Sequence, residues 1–161
     1  MVRATHHECD NTVCKLVSGI YGLGHPTLWS HEHLNPQTHE WLKQEFARVP
    51  LSFFRQMLES LSAGYMTPVE GYRELPQDVA LRRPQTDARF VFMTGRGNRC
   101  FLAESQQRSY EALSRYRRGY HSLHVLPGYG HLDVFLGKNA PWDVFPLILA
   151  ELNRPLPESR A

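Results

Sequence analysis

The sequence predicts an α/β fold, and two observations carry that prediction. Arg89-Phe90-Val91-Phe92-Met93-Thr94 is an almost unbroken apolar run, the pattern of a strand buried on both faces of a parallel sheet. It stops at Gly95-Arg96-Gly97-Asn98; a helix is expected from about Glu104 to Tyr116, Gly119 ends it, and Tyr120 to Leu126 reads as the next strand. Strand, loop, helix, strand is a βαβ unit. With a further strand expected upstream, the sheet has about three mostly parallel strands with flanking helices.

Composition narrows the class. A chain of 161 residues suits one ordinary domain, and its 42% hydrophobic content is that of a globular protein rather than a disordered one. The formal charge of +2 points to no particular partner. Arginines gather at Arg82 and Arg83 and again at Arg115, Arg117 and Arg118, but no aromatic platform accompanies them, so no nucleic-acid partner is expected. Cys9, Cys14 and Cys100 leave one thiol over in any disulfide scheme, which fits a reducing compartment. No apolar run approaches the roughly 18 residues of a membrane span and the start of the chain lacks a signal-peptide core, so a cytoplasmic location is expected.

Taken in order, Met1 to Asn11 (1–11) is polar and aperiodic and reads as a disordered leader. Its His6 and His7, with Cys9 and Cys14, could be drawn as a metal site, but no second ligand pair follows at zinc-site spacing, and they read as an incidental His-His pair in a mobile tail. Thr12 to Tyr21, rich in β-branched residues, is the first strand candidate. Ser18 within it lacks the flanking glycines of a nucleophile elbow, since Leu16 and Ile20 stand at those positions, and it reads as a strand residue.

After Gly22-Leu23-Gly24-His25-Pro26, Asn35 and Pro36 open a helix with Trp41, Leu42, Phe46 and Val49 on one side, ending before Pro50. Ser52 caps a second helix whose Phe53, Phe54, Met57, Leu58 and Leu61 form an apolar stripe, stopped by Gly64. The stripe reads equally as core and as the lining of a lid over an apolar pocket. His31-Glu32-His33 with His39 is a second histidine cluster, read as a surface group at the start of a helix; no metal or cofactor is expected. Tyr65 to Arg89 is a proline-punctuated connector with a turn near Glu70-Gly71. The last helix covers about Pro141 to Leu152, with Asp143 as a cap that moves Pro146 into its first turn; 153–161 is a tail.

The chemistry centres on Pro127-Gly128-Tyr129-Gly130-His131. A histidine on a glycine-rich turn just past a strand is how a fold presents an acid/base imidazole. Asn98 stands at the same edge, past the neighbouring strand, where open α/β sheets bind ligands.

These residues resemble the C-terminal third of α/β-hydrolase-fold proteins: strand-Gly-x-x-Asn, a helix, then strand-Pro-Gly-Tyr-Gly-His-x-Asp-x-x-x-Gly-Lys-Asn-Ala. The resemblance is closest to the hydrolase-like domain fused to cholesterol-oxidase-type (glucose-methanol-choline) flavoproteins, with a looser likeness to acid lipases. It extends upstream through His31-Glu32-His33-Leu34-Asn35 and covers about Cys14 to Leu152. It implies a partial α/β-hydrolase domain over 12–152, with a cap insertion at about 25–85. It makes His131 the catalytic histidine and puts Asn98 where the family has the orienting aspartate. Glu104 is a substitute acid under this likeness, and Asp133 is expected to brace the loop through backbone N–H bonds.

In that family the order is nucleophile, acid, histidine. This sequence contains no Gly-x-Ser-x-Gly, so the resemblance implies the C-terminal fragment of a serine esterase or lipase acting on an apolar ester or sterol-like molecule, inactive alone. The alternative is a non-catalytic remnant that serves as an interaction module. An N-terminal hydrolase half, or self-association through an open sheet edge, is the expected protein partner. No flavin site is expected, because no Gly-x-Gly-x-x-Gly opens the βαβ unit.

Overall fold

The computed structural model describes residues 8–21, 28–45, 49–69, 72, 74–77 and 82–155. Within them the chain is α/β, with two parallel strands and several helices. The first departure from expectation comes at once: Thr12–Ile20 is a helix, α1, not a strand. Asn11 caps it, its side-chain oxygen accepting from the N–H groups of Val13 (2.8 Å) and Cys14 (3.1 Å). Cys14 and Val17 are buried while Leu16 and Ile20 face solvent, a one-sided helical pattern that outweighs the β-branched content.

A 3-10 turn over His31–His33 leads into α2, Pro36–Glu45, which starts with the proline as expected. Leu42 is its buried residue, whereas Trp41 and Val49 are exposed; Phe46 lies outside the described residues. Helix α3, Leu51–Ala63, ends at Gly64, whose φ of 78° is the left-handed stop that glycine supplies. None of the described α3 residues is buried, so its apolar stripe is not core. The connector that follows holds no helix or strand among its described residues; the Gln56 amide and the Ser60 hydroxyl of α3 tie down Thr67. The proposed turn at Glu70-Gly71, the loop 22–27, the start of the leader and the end of the tail lie outside the described residues.

Strand β1, Val91–Gly95, and strand β2, Ser122–Leu126, pair in parallel with Val91 opposite Ser122 and Gly95 opposite Leu126. Helix α4, Ala103–Ser114, connects them and packs on both, so the expected βαβ unit is present. The sheet is less enclosed than its apolar run suggests: Val91 is exposed and only Thr94 and Gly95 of β1 are buried. The upstream third strand is replaced by α1, and β1 and β2 are the strands among the described residues.

The expected last helix is divided. After α5, Asp133–Leu136, come α6, Ala140–Asp143, and α7, Phe145–Asn153, with a proline in the first turn of each. Pro146 cannot donate to an interior hydrogen bond, so the break falls just before it, at the fully buried Val144. Two apolar clusters result. One joins α1, Leu28, Trp29, Leu34 and α2; the other joins Leu126, Val134, Ala140 and Val144. They flank the loop that carries His131.

Candidate functional site

Parallel strands deliver two loops to one edge of the sheet. Arg96 N–H donates to the Leu126 carbonyl (2.8 Å) and Gly97 N–H to the Tyr129 carbonyl (2.9 Å), which lashes the Asn98 loop to the His131 loop. Gly95 permits this approach. A Cβ there would stand 2.2 Å from the carbonyl oxygens of Tyr129 and Gly130, far inside van der Waals contact.

Asn98 is buried and its amide is fixed at both ends. Its Oδ1 accepts from the backbone N–H groups of Cys100 (3.0 Å) and Phe101 (2.9 Å). Turning the amide over would set an NH2 against two donors, so the assignment follows from the network. Nδ2 then faces Nδ1 of His131 at 3.1 Å. An NH2 group donates, so Nδ1 is the acceptor and the neutral imidazole carries its proton on Nε2. The Phe101 ring packs beside the imidazole, centroids 5.3 Å apart. Burial pushes the His131 pKa below the ordinary 6.5, opposed by the negative charge of Asp133, so the ring is neutral at neutral pH.

Asp133 braces the loop as expected. It is fully buried; its two oxygens accept from Gly130 N–H at 2.9 and 3.0 Å, and Oδ2 also takes a hydrogen bond from His33 Nδ1 at 2.7 Å. His33 is thus part of the loop's support, a role no sequence spacing signals across 100 residues. Further backbone bonds, Leu132 N–H to the Leu28 carbonyl and Lys138 N–H to the His33 carbonyl (both 2.7 Å), fasten the same loop to the same segment.

The other candidates separate from the imidazole. Glu104 lies exposed in the first turn of α4, and the group on Nδ1 of His131 is Asn98, not this carboxylate. Ser18 lies within α1, not in a strand. A cleft of about 190 Å³ is lined by His33, Pro127, Gly128, Tyr129, Gly137, Asn139 and Asp143, and neither His131 nor Asn98 contributes to it. At its rim the Tyr129 hydroxyl donates to Asp143 (2.7 Å), and burial together with that bond pushes its pKa up to about 12.

Among the described residues, one group of side chains has the donor types that could hold a metal ion. Cys9 and Cys14 meet His31 and His39, with the four donor atoms all within 4.8 Å of one another. The sequence presents these pairs as two unrelated clusters; the helix at 12–20 and the turn at 31–33 bring them together. His6 and His7 lie outside the described residues.

Among the described residues no helix is long and apolar enough to cross a membrane. No protein-family model, curated protein or solved structure matches the chain.

Proposed function

We propose that this chain carries the histidine arm of an α/β-hydrolase-type domain, similar to those fused to cholesterol-oxidase-type flavoproteins, in a state set for binding rather than for hydrolysis. The observation that supports this reading is the Asn98 amide on Nδ1 of His131. A general base must offer a lone pair on Nε2 to its nucleophile, and here Nε2 bears the proton. Exchanging tautomers would set Nδ1–H against the Asn98 NH2 while Oδ1 stays committed to two backbone donors. In a serine protease, replacing the triad aspartate with asparagine lowers kcat about 10⁴-fold for the same reason. An imidazole held this way offers one N–H to the carbonyl or hydroxyl oxygen of an apolar, ester-like or sterol-like ligand.

A second reading is ester hydrolysis with His131 as the base of a serine nucleophile. It is favoured by the partly exposed position of His131 at the C-terminal edge of the strands. Assays on p-nitrophenyl esters of increasing chain length separate the two. The binding reading expects turnover no higher than that of His131→Ala at any chain length. Turnover that is abolished in His131→Ala would overturn it in favour of hydrolysis.

A further inference from the structure

We propose that Cys9, Cys14, His31 and His39 bind one zinc ion as a closed structural centre, a site independent of the reading given to His131. The donors come from two segments far apart in the chain. Asn11 turns the backbone into α1 between the two cysteines, its own N–H directed at Cys9 Sγ (3.4 Å) and its side chain at the N–H of Cys14. His31 opens the 3-10 turn, and His39 sits in the first turn and a half of α2, where its N–H donates to the Asn35 carbonyl.

The four donor atoms lie within 4.8 Å of one another, near the span of a ligand set. His39 Nε2 lies 3.1 Å from Cys14 Sγ, 3.7 Å from Cys9 Sγ and 3.0 Å from His31 Nε2. Tetrahedral zinc, with bonds of about 2.0–2.3 Å, separates its donor atoms by roughly 3.3–3.8 Å. His39 Nε2 thus has three neighbours, whereas one ring nitrogen with a single proton or lone pair makes one linear hydrogen bond. A central cation would engage all four donors together after small shifts from these separations. His31 also has the outer partner that metal-bound histidines have: its Nδ1 pairs with a Glu8 carboxylate oxygen, which leaves the Nε2 lone pair turned toward the cluster. Two sulfurs and two imidazole nitrogens in a tetrahedral set select zinc over calcium or magnesium. Four protein ligands leave no position open for substrate, so the centre is structural. None of Cys9, Cys14 and Cys100 is in a disulfide, so each sulfur can be deprotonated on metal binding.

The centre would staple the start of α1 to the segment 31–39. That segment holds His33, whose hydrogen bond to Asp133 supports the His131 loop, so the metal contributes to the stiffness of that loop from a distance.

The test is metal content and cobalt substitution on the full chain, purified under reducing conditions. The expected result is one zinc per chain, and on replacement with cobalt(II) a thiolate charge-transfer band with the intense visible bands of a tetrahedral centre. Cys9→Ser, Cys14→Ser and His39→Asn are expected to lose that spectrum, whereas Cys100→Ser and His33→Asn keep it. His39→Cys keeps a ligand, so it retains cobalt and gains charge-transfer intensity, which guards against a variant that merely unfolds. Glu8→Gln is expected to lower zinc affinity about 10–100-fold. A reduced chain that binds neither zinc nor cobalt overturns the proposal. So does a cobalt spectrum that survives Cys14→Ser.

Discussion

Asn98 Nδ2 donates to His131 Nδ1 across 3.1 Å, and Asn98 Oδ1 is held by two backbone N–H groups so that it cannot take the place of Nδ2 facing the imidazole. A carboxylate at this position would accept from all three groups and leave Nε2 bare. The amide reverses the polarity of one hydrogen bond and, with it, the chemistry of the ring.

Asn98→Asp is therefore expected to move the imidazole proton from Nε2 to Nδ1. With a carboxylate on Nδ1–H the charged form of His131 is stabilised, and its titration midpoint should rise by about one unit or more. In the parent, burial holds the folded midpoint below 6.5, so His131 adds stability above that pH and loses it as pH falls through the folded midpoint. NMR titration of the ring protons reads both. A variant midpoint no higher than the parent's contradicts this account of the site.

Gly95→Ala tests the lashing of the two loops. Its methyl would meet the carbonyl oxygens of Tyr129 and Gly130, both backbone atoms that cannot swing aside. The expected cost is about 3 kcal/mol or more, with Gly97→Ala milder because its Cβ would lie 3.2 Å from the Tyr129 oxygen. Chemical denaturation of the two variants gives the comparison.

Asp133→Ala removes a fully buried carboxylate that serves Gly130 and His33 together. Leaving those donors unpaired is expected to cost about 3–5 kcal/mol. Thermal unfolding followed by circular dichroism should show the loss, and hydrogen exchange should show it centred on residues 128–133.

Glu151 ties α7 to the sheet by pairing with Arg89 and with His124 (2.7 Å). The Arg89 hydrogen bond, working against burial and aided by His124 and Ser122, holds its pKa down at about 2, below the ordinary 4.5. A depressed carboxylate stabilises the fold above its unfolded pKa, and that contribution fades as pH falls from about 4.5 toward 2. Glu151→Gln is expected to lower Tm at neutral pH and to flatten the acid limb of the Tm–pH curve. An unchanged acid limb would remove Glu151 from the account.

The βαβ unit was legible because its signals are local: the apolar run at 89–94, the glycine at 95 and the short strand before Pro127; the helix between them stops at Ser114, ahead of the expected stop at Gly119. The Asn98 and His131 loops were legible as neighbours for the same reason, since parallel strands fix where their ends lie. Helix α1 was not, because Thr12, Val13, Val17 and Ile20 have strand propensity and the decision rests on the Asn11 cap and on burying Cys14 and Val17 together. The amide's direction was not legible either. It depends on the N–H groups of Cys100 and Phe101, which the sequence does not aim. The pairing of Cys9 and Cys14 with His31 and His39 was hidden because neither segment carries a second ligand pair at the familiar spacing.

The most direct measurement is the tautomer of His131, read from the ¹⁵N resonances of its ring in long-range ¹H–¹⁵N correlation spectra near pH 7.5. The geometry at Asn98 requires a protonated Nε2 and an unprotonated, hydrogen-bond-accepting Nδ1. A proton found on Nδ1 would mean that the ring is poised as a base after all, and would contradict the account at its centre.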